Sequence, residues 1–197
     1  MTIDTLRGAA SGPAHCSLRP LPDQIAGLLA ELGASPRLVA HPRAVHDVAH
    51  QLVEWVQERY PALAVDDEAA LFGAATHDVG KAVHVAELSG PGSAHEEAGR
   101  ALLLGGGVSP ELARFAATHG SWARSDAAVE DLLVSLADKI WKNKRVPELE
   151  DLVVARLAAA SGRPRWEEFV ALDDVLSRLG DGAEERLAFQ GSFPIRG

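Results

Sequence analysis

Apolar residues recur along this chain at the three- and four-residue intervals of amphipathic helices, and nowhere do they alternate as in a half-buried strand. In "LPDQIAGLLAELG", Ile25, Leu28, Leu29 and Leu32 share one face and Gly33 supplies the stop. In "SPRLVAHPRAVHDVAHQLVEWVQERYP", Leu38, Val45, Val48, Ala49, Leu52 and Val56 do the same. Pro42 interrupts that pattern, so the helix is expected to begin near His41. "DDEAALFGAATHDVGK" carries acids in its first turn, which suits a helix N-terminus. "SAHEEAGRALLLGGG" offers Ser93 as a cap and stops at glycines. "SPELARFAATHG" repeats that grammar, and "SDAAVEDLLVSLADKIWKNKR" predicts one long helix ending before Pro147. Helical stretches at Pro147–Ser161 and Arg165–Leu179 follow, and the tail after Gly182 carries a weak signal. Residues 1–20, rich in Gly, Pro and Ser, are expected to form a flexible segment. Residues 21–190 are expected to form one all-α globular bundle with no linker.

Composition narrows the functions open to such a bundle. The chain has 197 residues, with 19 basic and 28 acidic side chains and a formal charge of −9. That balance argues against a large nucleic-acid or anionic-membrane surface, though not against a local basic pocket. One cysteine, Cys16, excludes an internal disulfide framework and a CxxC metal site, and a reducing cytoplasmic setting is expected. The first twenty residues lack an apolar core, so no signal peptide is expected. No apolar run approaches the roughly 18 residues that a membrane helix needs.

Six polar residues then stand out: His41, His77, Asp78, His95, His119 and Asp138, each at or near the apolar face of one of five predicted helices. Buried imidazoles and carboxylates are costly unless paired or bound to metal. A single core histidine means little. Six candidates on five helices, without thiolates, point to a metal centre of the kind helix bundles build from facing helices. His46 and His50 share the helix of His41. His41 aligns with Val45, Val48 and Leu52 and is preferred, with His46, about 140° round the helix, as the alternative.

The order His41, His77-Asp78, Asp138 resembles the HD-domain metal-dependent phosphohydrolase superfamily. The stretch "HPRAVHDVA", with His41, Val45 and Ala49, is similar to that family's first-histidine helix. "HDVGK" is close to its signature doublet, and "SLADKI" supplies the last Asp. "SAHEEAGRALL" and "FAATHG" resemble two later segments that contribute His95 and His119. The resemblance spans roughly Pro36 to Arg145, which puts the metal site within about residues 36–145. It implies that His41, His77, Asp78 and Asp138 hold one divalent transition metal (Mn, Fe, Co, Ni or Zn). It further implies that His95 and His119 add ligands for a second ion bridged by Asp78, and that a metal-activated water hydrolyses a phosphoester.

The remaining expectations concern substrate. Lys81, three residues after Asp78, is a candidate for phosphate contact or acid catalysis beside Asp78. Lys142 and Arg145, four and seven residues after Asp138, both return to its side of the helix. That places a cationic strip within about 10 Å of the metal, at 1.5 Å rise per residue. Trp122 and Trp141 flank the same region and could stack on a base or simply be core. The expected partner is a small phosphorylated substrate, a nucleotide by preference. The helices after Pro147 either complete the core or form a homodimer face. Two alternatives stay open: an HD-like di-iron oxygenase that cleaves a carbon bond, and a non-catalytic nucleotide-binding module.

Overall fold

The computed structural model describes residues 3–12, 18–124 and 126–195, and Cys16 lies outside them. Ten α-helices and two short 3-10 turns make up the described chain, with no strand among the described residues. The helices are α1 (Ile3–Ser11), α2 (Asp23–Glu31), α3 (Pro36–Arg59), α4 (Asp67–Thr76), α5 (Ala94–Gly105) and α6 (Pro110–Thr118). They continue with α7 (Val129–Ile140), α8 (Pro147–Ser161), α9 (Arg165–Asp181) and α10 (Ala183–Gly191). The 3-10 turns, Val79–Ala82 and Val85–Leu88, lie between α4 and α5.

The long α3 is the axis of one globular domain and packs against α1, α4, α7 and α10. Its apolar stripe, including Leu38, Val45, Val48, Leu52 and Val56, is fully buried. It starts earlier than the proline suggests. Ser35 caps it by accepting the Leu38 amide at 3.3 Å, Pro36 occupies the first turn, and Pro42 sits inside. Pro42 cannot donate to the Leu38 carbonyl, and burial of the turns on both sides compensates that single lost bond. At the far end, buried Glu168 of α9 accepts hydrogen bonds from the Tyr60 and Ser161 hydroxyls. The inner faces of α8 and α9 complete the core through Leu149, Val153, Leu157, Leu172 and Leu176, while Trp166, Phe169 and Val170 stand exposed on α9.

Two local expectations fail for identifiable reasons, and the weakly patterned tail proves helical. The segment before residue 20 is not wholly loose, because α1 forms and buries Ala9 and Ala10. Arg43, buried in α3, donates to the Ala9, Gly12 and Leu18 carbonyls and so fastens that segment. The tail after Gly182 forms α10, which docks on α3. Buried Arg186 donates to the Trp141 carbonyl at 2.7 Å, and Arg37 to those of Phe193 and Gly191. Finally, α7 stops at Ile140. Trp141 closes it, and Asn143 adopts φ 55°, a left-handed conformation that ends the helix.

Candidate metal centre

All six candidate ligands converge. His41 comes from α3, Asp138 from α7, His95 from the first turn of α5, and His119 from the end of α6. His77 and Asp78 follow α4, and the local backbone explains how adjacent residues serve different neighbours. His77 still has helical dihedrals (φ −52°, ψ −35°), whereas Asp78 turns to φ −102°, ψ 8° as the 3-10 turn begins. His77 therefore faces α3 and α7, and Asp78 reaches toward α5 and α6 as well.

Two glycine contacts let the outer helices approach. A Cβ on Gly80 would collide with the backbone of His95 and Gly99, so the first 3-10 turn and α5 meet main chain to main chain. A Cβ on Gly73 would enter the Phe115 ring, so α4 accepts α6 at close range. These contacts bring His95 and His119 to Asp78.

The polar atoms fall into two sets: His41, His77 and Asp138, then Asp78, His95 and His119. In the first, His41 Nε2 lies 3.1 Å from His77 Nε2, 3.6 Å from Asp138 Oδ1 and 3.0 Å from Asp78 Oδ2. His77 Nε2 lies 3.5 Å from Asp138 Oδ1. In the second, Asp78 Oδ1 lies 3.2 Å from His95 Nε2 and 3.6 Å from His119 Nε2. Ligands held at about 2.0–2.2 Å from a common ion stand about 3–3.5 Å apart, which is this spacing. Asp78 turns one carboxylate oxygen toward each set.

The histidine tautomers test whether a cation fits. A carbonyl only accepts, so His77 Nδ1 donates to the Ala74 carbonyl at 2.9 Å, and His119 Nδ1 to that of Ala116 at 3.0 Å. His95 Nδ1 pairs with Glu87 Oε2 at 2.5 Å. Each Nε2 lone pair is then left facing the cluster, the arrangement typical of metal-bound histidine. Asp78 Oδ1 and His95 Nε2 are buried without a hydrogen-bond partner. Lone pairs facing one another in a buried site call for a cation between them, so the donor set fits a divalent metal.

Protonation agrees with that reading at His41, His119 and both aspartates, whereas at His95 burial is outweighed by the Asp78 and Glu87 carboxylates, which raise the pKa, so a metal there must displace a proton. Burial lowers the pKa of His41, and it pulls His119 down to about 4, keeping both rings neutral. Burial alone would raise Asp78, but the His77, His41 and His95 imidazoles hold it well below the usual carboxylate range. Asp138 is likewise held low against burial by His77 and Lys139. Neutral imidazole and ionised carboxylate are the forms that bind metal.

The flanking residues are only partly those expected. Lys81 Nζ lies 2.6 Å from Asp78 Oδ2. The other ammonium at the cluster is Lys139, 2.6 Å from Asp138 Oδ2, which sequence reasoning missed because it sits one position round the helix. Lys142 has an exposed side chain near the site, its pKa is lowered by desolvation that outweighs the Asp138 and Asp78 charges, and it lies 5.7 Å from the Trp141 ring. Arg145 does not join it. Since α7 ends at Ile140, Arg145 turns to α8 and α9, pairing with Glu150 and Asp173, each at 2.7 Å. Trp141 is core, packing edge-on against His41 at 4.9 Å between ring centres. Trp122 is half-buried and lines a cleft with Gly120, Ser121, Ala123 and Arg124. His46 is buried away from the cluster beside His50 and Asp47, which decides for His41 as the histidine of α3 that joins it. Glu87 was also missed, because a carboxylate in a polar loop eight residues before His95 gives no local signal.

Among the described residues, no helix is long and apolar enough to cross a membrane. Comparison with protein-family models, curated proteins and solved structures finds no match. On its own geometry, the chain is a helical protein whose buried His and Asp groups could hold metal.

Proposed function

We propose that the protein is a metal-dependent phosphohydrolase of the HD-domain type, acting on a small phosphoester such as a nucleotide. One observation carries the reading: six ionisable donors from five helices form two sets that share Asp78, one carboxylate oxygen to each. Divalent ions held there would lower the pKa of a bound water and neutralise charge on phosphoryl oxygens. His41, His77 and Asp138 would hold one ion, and His95 and His119 the other, with Asp78 between them.

Charge balance supports an anionic substrate. Among the described residues, two carboxylates face the cluster directly, each paired with a lysine, Lys81 or Lys139, and a third, Glu87, lies behind His95. Two divalent ions would leave a large positive excess, which a phosphoryl group is suited to offset. The lysines would then release the carboxylates and donate to phosphate oxygens. Lys81, partly buried beside the shared aspartate, would serve as the acid that protonates a leaving oxygen. Trp141 covers one side of His41 and keeps bulk water from that donor.

The same donors would suit a di-iron oxygenase, and the two lysines favour phosphate over that alternative. A panel of nucleotides and simple phosphoesters, with Mn, Fe, Co, Ni, Mg and Zn supplied in turn, tests the proposal alongside dioxygen uptake. Metal-dependent phosphate release is expected. No hydrolysis with any ion would reject it, and substrate-linked dioxygen uptake would replace it with the oxygenase reading.

A further inference from the structure

The N-terminus of α5 is built unusually. Ser93 occupies the cap position, but its side chain makes no capping hydrogen bond. The carboxylate of Glu87, from the second 3-10 turn, takes that place and accepts the Ala94 and His95 amides, each at 3.2 Å. The same carboxylate holds His95 Nδ1 at 2.5 Å. Gly92 leaves room for it, since a Cβ there would collide with the Glu87 side chain. One carboxylate thus both caps a helix and orients a ring that faces Asp78.

Within the second set the two histidines are supported differently, and His95 differs from His77 of the first set as well. His77 and His119 donate to carbonyls of the helices that carry them, α4 and α6. Among the described residues, His95 is the one ring of the cluster oriented by a side chain from a separate loop, and His41 Nδ1 has no hydrogen-bond partner. We propose that Glu87 is the positioning residue for the second set, and that its hold on His95 determines whether Asp78, His95 and His119 retain an ion. Donation to a carboxylate fixes the His95 tautomer with its Nε2 lone pair toward Asp78 and makes that nitrogen a stronger donor. The inference rests on reading these residues as metal-holding groups, not on hydrolysis.

The test is Mn(II) titrated into the metal-free full-length chain, followed by calorimetry and electron paramagnetic resonance. Wild type is expected to bind near two ions. Glu87→Ala should leave the first affinity unchanged and weaken the second by about 10–100-fold, the usual loss when such a partner is removed. Glu87→Gln, which retains an acceptor oxygen without the charge, should weaken it several-fold. A helix cap alone can be supplied from position 93, so Ser93→Asp in the Glu87→Ala background separates the two roles. Its expected effect is to restore the metal-free melting temperature while leaving the second ion weak. Restoration of both would overturn the proposal, and so would unchanged second-ion affinity in Glu87→Ala. Should Glu87→Ala fail to fold, Glu87→Gln decides, and unchanged affinity there overturns it too. A wild-type stoichiometry of one would likewise defeat it while leaving a one-metal hydrolase intact. Absence of hydrolysis would defeat the functional proposal without altering the titration.

Discussion

Gly80 and His95 meet main chain to main chain, with no room for a side chain at Gly80 between the first 3-10 turn and α5. Asp78 is two residues before that contact, so its position sets how closely His95 approaches Asp78. Gly80→Ala should push α5 outward, cost about 1–3 kcal/mol as overpacking does, and lower metal content by one ion per chain. Chemical denaturation and elemental analysis check it. Wild-type metal content in a folded Gly80→Ala protein would show that the close approach is dispensable.

Among the described residues, Asp78 is the one that offers an oxygen to each set. Asp78→Ala should therefore strip both ions and abolish activity, whereas His95→Ala with His119→Ala should remove one ion. The Asp78→Ala chain should remain folded, because the variant removes a buried charge together with the need to neutralise it. Elemental analysis of both proteins, with circular dichroism for folding, provides the comparison. Retention of either ion at wild-type affinity in Asp78→Ala would contradict the shared role.

Lys139 and Arg145 should separate function from stability. Lys139→Ala, which removes an ammonium 2.6 Å from Asp138, should raise KM more for substrates with more phosphates and leave the melting temperature nearly unchanged. Arg145→Ala should do the reverse. It leaves buried Glu150 without its two guanidinium hydrogen bonds and should cost about 2–3 kcal/mol with KM unaltered. A KM effect confined to Arg145→Ala would return that residue to the substrate side.

His46 predicts an acid limit to stability. Burial, helped by neighbouring His50, lowers its pKa from 6.5 to about 4. The unfolded chain takes up this proton near pH 6.5, while the folded chain resists until about pH 4. Acid therefore favours unfolding. The stability this ring permits is intact above pH 6.5 and falls on the order of 3 kcal/mol by pH 4. His46→Met should flatten that fall in denaturant titrations run across the window. Curves that stay parallel for the two proteins would place the acid sensitivity elsewhere.

Eight of the ten described helices, and the six residues that meet at the centre of the fold, were legible in the sequence. Period-3.6 spacing marks α2, α3, α8 and α9 because each buries one stripe. Histidines and aspartates on such stripes are conspicuous because burial without a partner is unfavourable. The choice of His41 over His46 followed from alignment with Val45 and Leu52. What spacing could not reach depended on where chain segments end and meet. Arg145 was misplaced because a left-handed Asn143 ends α7 early. Helices α1 and α10 were missed because buried Arg43 and Arg186 secure neighbouring segments through backbone carbonyls, which no side-chain pattern records. Lys139 and Glu87 acquire their roles from groups on a turn of helix and across a loop. Local periodicity reports which face of a helix is buried. Only tertiary packing decides which backbones touch, and here close approach at Gly73 and Gly80 turns six separate polar residues into two sets joined by one aspartate.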